Sequence, residues 1–351
     1  MTRSTLKSLL IVVALLVGLL AIVELNDDGG DSTRDRVLLP ALKPAINEIE
    51  SITIVRGEEA PLRLDASGGT WVVSDRGGYP ADVGRIRELL LALADARILE
   101  EKTANPERYA QLGVEGPAAG SDSARLTIAA GERRFGIIIG DVAQRSFRYV
   151  RLADDATSLL IDTNPALPDM AGDWLQPDIL DIDSERIRAL RIVHADGEEI
   201  LATNTSADAP DFEVSNLPEG RELSYPTVVN GLAAALAGLT LEEVRRAEPG
   251  DAAVTARYET FDGLVITASI VAQEETTWIG FTATAAAREA AEPDARDEPN
   301  DGASAEAEPA ADPRQEAEAV NARLAGWQFR VPDYKVNLMQ RRWEDILKAE
   351  T

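Results

Sequence analysis

One sequence pattern occurs twice in this chain, and that repetition constrains the fold more than any other feature. Each copy has an apolar alternation, a second strand-like run and a Tyr-Pro pair that leads into an apolar-striped stretch. The copies are Ile52–Val55, Trp71–Val73, Tyr79-Pro80 and Leu190–Val193, Phe212–Val214, Tyr225-Pro226. After the Tyr-Pro pairs the register is constant, so that Ile86, Leu89, Leu90, Leu93 and Ile98 correspond to Leu232, Ala235, Leu236, Leu239 and Val244. Such self-similarity predicts two related folded units.

The local patterns predict an α+β fold for each unit. Short runs that alternate apolar and polar residues are typical of half-buried antiparallel strands. Asp82 is in position to cap a helix whose apolar residues recur at intervals of three and four. We therefore expect two duplicated units, each a largely antiparallel sheet with one packed helix and a terminal helix. The last terminal helix would carry Leu338, Met339, Trp343, Ile346 and Leu347 on one side.

The N-terminal segment predicts a membrane anchor over residues 1–25. Arg3 and Lys7 precede a continuous apolar run, Leu9–Val23, and acidic residues follow it. A helix over this run satisfies its own backbone in a bilayer, and basic residues before it predict a cytoplasmic N-terminus with the bulk of the chain outside. A cleaved signal peptide is the alternative interpretation.

The remaining sequence divides into a tether and two units. Residues 26–37 are polar and rich in Gly and Asp, as tethers are. The first unit is predicted over 38–180 and the second over 181–351. The second unit contains an insert at about 285–319, in which acidic residues far outnumber basic ones. Such a segment buries too little apolar surface to offset its ordering entropy, so it is predicted to be disordered.

Composition excludes several classes of function. A net charge of −26 argues against nucleic acid as a partner, because phosphate binding requires basic patches. The absence of cysteine excludes disulfides, thiolate metal sites and cysteine nucleophiles. The single histidine, His194, is expected at the surface beside a turn. The run Asp169, Asp173, Asp178, Asp181 and Asp183 lacks the ligand spacing of a calcium loop and indicates capping and surface charge.

No residue set predicts a reaction, so the sequence indicates no catalytic, cofactor-binding or metal-binding residues. The two Tyr-Pro pairs are interpreted as anchors of strand-to-helix turns, with Pro fixing φ and Tyr packing over the helix start. Matched ligand-gripping lips are the alternative. A carboxylate pair of the kind that glycosidases use remains open in so acidic a chain.

Several motifs resemble the bacterial family called domain of unknown function 4340. They are Trp71–Val73, Tyr79–Asp82, Tyr109–Pro117, Ile139–Asp141, Tyr149–Leu152, Gly326-Trp327 and Val331–Lys335. The chain departs from the family pattern in the loop that starts at Tyr109, where Ala110-Gln111 is inserted, and in the acidic insert. The resemblance extends from about Leu38 to Leu347.

The resemblance implies a single-pass protein of the bacterial inner membrane, often associated with ABC-type transport systems, with no established catalytic residues. The expected function is therefore a membrane-anchored extracytoplasmic accessory protein that is not an enzyme. Its expected partner is a membrane protein, such as the permease and ATPase subunits of an ABC transporter. An envelope hydrolase acting on glycan is the alternative.

Overall fold

A computed structural model describes residues 36–118, 120–121, 123–144, 146–208, 211–273, 276–286 and 312–349. The predicted anchor and residues 26–35 of the predicted tether lie outside these ranges. Within them, none of the helices has the length and apolarity needed to cross a bilayer. The chain divides into two compact units, Met1–Asp169 and Met170–Thr351, called here the first and second unit.

The first unit is built on a nine-stranded antiparallel sheet. Its strands are β1 Ile49–Arg56, β2 Leu62–Ser67, β3 Thr70–Val73, β4 Tyr79–Pro80, β5 Ile98–Glu101, β6 Ala124–Ala130, β7 Arg133–Gln144, β8 Phe147–Leu152 and β9 Ser158–Ile161. They lie in the order β4-β3-β2-β1-β6-β7-β8-β9-β5. The alternation of apolar and polar residues explains why these segments form strands of the sheet. Ile52, Ile54 and Leu64 are buried, while their neighbours along each strand are more exposed.

Two helices accompany this sheet. The short helix α1, Leu42–Ala45, precedes β1, and the thirteen-residue helix α2, Val83–Asp95, lies between β4 and β5. The predicted apolar stripe of α2 is buried, with Leu89 and Leu93 fully inaccessible to solvent. The backbone before α1 fixes the end of α2, because the Leu38 N–H donates to the Ala96 carbonyl at 2.8 Å.

The second unit contains an eight-stranded antiparallel sheet and a two-stranded one. Its strands are β10 Asp178–Leu180, β11 Ile187–His194, β12 Glu199–Thr203, β13 Glu213–Val214, β14 Leu239–Thr240, β15 Glu243–Arg246, β16 Val254–Thr260, β17 Leu264–Gln273, β18 Thr276–Ala285 and β19 Trp327–Arg330. The larger sheet has the order β13-β12-β11-β16-β17-β18-β19-β15, and β10 pairs with β14.

The two large sheets follow the chain in the same order. In the first, the hairpin strands β3-β2-β1 are followed by β6-β7-β8-β9, and β5 closes the edge. In the second, β13-β12-β11 are followed by β16-β17-β18-β19, and β15 closes the edge. The largely antiparallel α+β architecture predicted from the sequence is confirmed.

The helices differ from the prediction in three places. The second-unit counterpart of α2 is only a four-residue helix, α3 Asn230–Ala233, followed by a 3-10 turn, Ala234–Leu236. The final helix is split into α5, Asp333–Met339, and α6, Trp343–Ile346. After β9, residues 162–180 of the predicted first unit form no terminal α-helix, and their only helical element is a 3-10 turn, Ala171–Trp174. The first of these differences extends to Leu239, which belongs to the predicted helical stripe but pairs with Leu180 across the two-stranded sheet.

Two boundaries also differ. The division between the units falls before β10 rather than at residue 180, because β10 pairs with β14 of the second unit. The insert predicted to end at 319 ends earlier, because Pro313–Leu324 forms the helix α4. Asp312 caps its first turn and Pro313 stands at the start, where its missing N–H costs nothing. Residues 287–311 of the insert lie outside the described ranges.

Helix α4 is held to the sheet by polar contacts at two points. The Asn321 side chain donates to the Ala283 carbonyl at 2.7 Å and accepts from the Ala283 N–H at 2.8 Å. Near the start of the helix, the Glu316 carboxylate accepts hydrogen bonds from both terminal nitrogens of Arg186, at 3.1 and 2.9 Å. These contacts fix the helix against β18 although its own buried face is narrow.

Candidate functional site

Helix α2 is placed by the strand that precedes it. The buried Tyr79 holds β4 against β3, and the Ala81 N–H donates to the Trp71 carbonyl at 2.8 Å. The predicted cap is confirmed, since Asp82 Oδ1 accepts from the Arg85 N–H at 3.0 Å. These contacts fix where the helix starts and therefore which of its faces meets the sheet.

A groove, called here the α2 groove, runs along the side of this helix. It has a volume of about 540 Å³. Its walls are the turn between β2 and β3, the chain between α1 and β1, and α2 itself. Its floor and far wall include Ile49, Gly69, Trp71, Ile86 and Leu90, and its helix edge includes Val83, Arg87 and Leu91.

The helix edge of the groove is unusually apolar for a surface. Val83 and Leu91 expose 39% and 43% of their surface, and they stand four residues before and after Arg87. Residues at this spacing lie on one face of a helix. Arg87 is the one charged residue in the lining, and among the described residues it has no hydrogen-bond or ion-pair partner. The groove therefore presents an apolar surface with one available cation.

The loop of residues 105–117 forms a second feature singled out by the sequence. The buried Tyr109 hydroxyl donates to the Ala156 carbonyl, and the Arg151 guanidinium lies 4.5 Å from the centre of the Tyr109 ring. Arg151 Nε also donates to the Val114 carbonyl at 3.0 Å. Tyr109, Val114 and Ile138 form one buried cluster. This loop is packed against the sheet rather than open to a ligand.

Two glycines allow the loop to approach the sheet closely. A Cβ at Gly140 would lie 2.4 Å from the Leu112 carbonyl oxygen, and a Cβ at Gly113, where φ is +63°, would lie 2.5 Å from Asp141 Oδ1. The Asp141 N–H donates to the Leu112 carbonyl at 2.9 Å. The Ile139-Gly140-Asp141 motif is thus explained by backbone contact.

The two Tyr-Pro pairs do not have equivalent surroundings. Tyr79 is 3% exposed and packs as predicted, whereas Tyr225 is 56% exposed. The expected packing of Tyr over a helix start therefore holds in the first unit and is wrong in the second. The reason is that the following helix, α3, begins later and is only four residues long.

Lys335, in the Val331–Lys335 motif, has a structural role. It is buried, and its ammonium group donates to the carbonyls of Ala234 and Ala237 at 2.9 and 2.5 Å. Ala237 follows the 3-10 turn, where intrahelical partners run out, whereas the Ala234 carbonyl at the start of that turn also accepts from the Ala237 N–H at 3.3 Å. Burial lowers the pKa of Lys335, and Asp181 partly opposes this shift.

His194 is not at the surface as expected. It is 5% exposed, and its Nε2 lies 3.0 Å from the Arg341 carbonyl oxygen. The expected turn is present beside it, since the Gly197 N–H donates to the His194 carbonyl. A hydrogen-bonded core histidine explains this position.

Acidic residues of the run from Asp169 to Asp183 make separate contacts with different parts of the chain. Asp169 pairs with Arg56 at 3.2 Å, and Asp181 accepts from the Gly238 N–H at 2.7 Å. In the described part of the chain, no three His, Cys, Asp or Glu residues are grouped so that they could hold a metal ion.

Paired carboxylates in the described ranges share arginines. Asp262 and Glu316 both contact Arg186, and Asp196 and Glu198 both contact Arg342. The Glu198 N–H and the Arg342 guanidinium lower the pKa of Asp196. A general acid in glycoside hydrolysis requires the opposite shift.

Sequence reasoning did not identify the α2 groove. Its signal is the placement of the exposed apolar residues Val83 and Leu91 beside the buried stripe of α2, where polar residues are expected. The far wall, at Gly69 and Trp71, becomes adjacent only when the hairpin of β2 and β3 folds beside the helix.

Comparison with known proteins gives one match. The family model described as Domain of unknown function (DUF4340) matches residues 71–259, more than half of the chain. The match includes Trp71, α2 and the loop of residues 105–117, whereas the Gly326-Trp327 and Val331–Lys335 motifs lie beyond it. No curated protein and no solved structure matches the chain.

Proposed function

Since the chain belongs to the DUF4340 family, we propose that it is a membrane-anchored extracytoplasmic accessory protein, a non-enzymatic component of an ABC-type transport system. The observation that carries this proposal is the α2 groove, with its apolar helix edge and its available Arg87. Apolar surface that is rimmed by polar groups marks sites of interaction. The membrane part of the proposal rests on the apolar run Leu9–Val23.

Affinity purification from gently solubilised membranes, followed by mass spectrometry, tests the partner. We expect a permease and its ATPase to be recovered with the full chain at native expression. Leu91→Asp is the matched variant, because Leu91 is exposed and its replacement should leave the fold intact while altering the groove. A stable monomer in several mild detergents, with no permease or ATPase bound, contradicts the proposal.

Protease accessibility in spheroplasts tests the orientation separately. A periplasmic C-terminal bulk is cut by added protease while a cytoplasmic control protein is spared. Protection of the C-terminal part would place it in the cytoplasm and remove the extracytoplasmic element of the proposal.

We also infer that the two units arose by duplication of one. The supporting observations are the repeated sequence pattern and the common strand order of the two large sheets. A family member with a single unit, folding into one such sheet by itself, would strengthen this inference.

The alternative, an envelope hydrolase acting on glycan through a carboxylate pair, has less support. Each of the carboxylate pairs described above is bridged by one arginine, Arg186 or Arg342, which favours a structural role. Turnover of peptidoglycan or an oligosaccharide that a single Asp or Glu replacement abolishes would reverse this preference.

A further inference from the structure

In the second unit, the helical turn that follows β13 is covered by a helix from the same chain. Helix α5, which follows β19, packs against α3 and the 3-10 turn. Lys335 binds the Ala234 and Ala237 carbonyls, while Val336 and Met339 are 5% and 0% exposed. A seven-residue amphipathic helix is thus sufficient to cover this surface.

In the first unit, the corresponding surface has no such cover. Strand β9 holds the position of β19 in the sheet order, but the described residues after it, 162–169, form no helix. The constant register places Leu91 of α2 where Ala237 stands in the second unit. Helix α5 reaches the main-chain carbonyl of Ala237, just after the short helical turn, whereas the side chain of Leu91 remains 43% exposed and lines the α2 groove.

We infer that the α2 groove binds a short amphipathic helix of a partner protein, with a carboxylate of that helix facing Arg87. This inference deepens the proposed function and rests on it. The groove supplies an apolar floor at Ile86 and Leu90, which are nearly inaccessible, and an apolar edge at Val83 and Leu91. Helices bind such grooves through apolar residues spaced by three and four positions.

The charge of Arg87 favours a carboxylate on the partner helix. Arg87 is the single ionised side chain in the lining and lacks a described partner, in a chain with a net charge of −26. Most anionic partners are repelled by that net charge, so a carboxylate is favoured only where it meets a local cation beside an apolar surface. A basic residue at the same place on the incoming helix would meet Arg87 unfavourably.

A peptide based on α5 is a suitable probe, because α5 performs this role in the second unit. We would compare two lactam-bridged peptides of residues 332–340, the parent and a Lys335→Glu version, since bridging reduces the cost of forming so short a helix. The chain has no cysteine, so Ser67→Cys on the groove wall carries a single environment-sensitive fluorophore. The full chain is held in a nanodisc, which keeps free detergent away from the groove.

The glutamate peptide should bind roughly threefold more tightly than the lysine parent, as an exposed ion pair allows. Arg87→Glu should reverse this order. Leu91→Asp should weaken both peptides about tenfold through loss of apolar contact. Glu132→Gln, at an exposed position in the turn between β6 and β7 and outside the groove lining, is the control and should change neither affinity.

Three results would overturn the inference. One is an unchanged peptide preference in Arg87→Glu. The second is a label that responds to dodecanoate but to neither peptide, which would indicate an amphiphile site. The third is a label signal that depends on protein concentration without peptide, which would indicate a second copy of the chain. Because the peptides need no transporter, failure here is distinguishable from failure to recover a permease and ATPase.

Discussion

The helices that follow the Tyr-Pro pairs are stabilised in opposite ways in the two units. Helix α2 has thirteen residues, a capping side chain at Asp82 and a continuous buried stripe. Its counterpart α3 has four residues and no side-chain cap at Val229, and it depends on Lys335 from a later helix. Helix α2 is stabilised largely by its own sequence, and α3 is stabilised by contact with α5. The α2 groove is therefore open, whereas the corresponding turn of the second unit is covered.

The largest expected effect tests the buried stripe of α2. Leu89→Asp places a charge at a fully buried position and should lower the free energy of unfolding by more than ~3 kcal/mol. The matched control is Leu91→Asp, two residues away and exposed, which should change it by no more than ~0.5 kcal/mol. Urea denaturation measures both. Similar values for the two variants would mean that α2 does not pack as described.

The next effect tests the dependence of the second helix on tertiary contact. Lys335→Met removes the donor to two carbonyls and should lower the free energy of unfolding by about 2 kcal/mol, because the Ala237 carbonyl loses its donor and the Ala234 carbonyl keeps only the Ala237 N–H at 3.3 Å. Lys348→Met, the same replacement at an exposed lysine of the second unit, is the control and should have little effect, since its ion pair with Glu222 lies at the surface. An unchanged denaturation midpoint for Lys335→Met would show that α3 is stable without its contacts with α5.

A smaller effect tests the cap of α2. Asp82→Ala should lower the free energy of unfolding by about 1 kcal/mol, since the Arg85 N–H loses its acceptor. Asp82→Asn keeps an acceptor and should recover most of the loss. Hydrogen exchange at the Arg85 amide should be faster in the Ala variant, which would place the loss of stability at the start of α2. Unaltered exchange there would mean that the cap does not contribute to the stability of the helix.

The smallest effect is a pH dependence confined to the second unit. Burial lowers the pKa of Lys335 below its ordinary value of 10.5, so the unfolded chain binds more protons between the lowered pKa and that value. The free energy of unfolding should therefore rise with pH across this window, and Lys335→Met should lack this contribution. Chemical denaturation at several alkaline pH values compares the slopes, and equal slopes would rule out a contribution from Lys335.

The sequence predicts the sheets better than the helices. Alternation along β1 and β11 is a local property, and it identifies strands whatever their neighbours. The spacing of Leu232, Leu236 and Leu239 also fits a helix, but Leu239 pairs with Leu180 in the structure, so tertiary pairing overrides local preference.

The candidate site was less accessible to sequence reasoning. The register predicts which second-unit residues correspond to α2, yet the α2 groove depends on which segments reach the outer surface of the helix. That surface is set by the β2–β3 turn and by the chain before β1. These are long-range arrangements that periodicity does not contain.

The contact between Asn321 and Ala283 has a consequence for how this chain can change in evolution. The amide of Asn321 imitates a peptide group, so a single side chain takes the place of a neighbouring strand along an edge that invites unwanted pairing. It also fixes where the polypeptide leaves and rejoins the second unit. Lengthening the connection between these anchor points adds only about 0.6 kcal/mol of closure entropy per doubling. Insertions there are thus uncoupled from strand register, and this part of the sequence is free to diverge without altering the sheet.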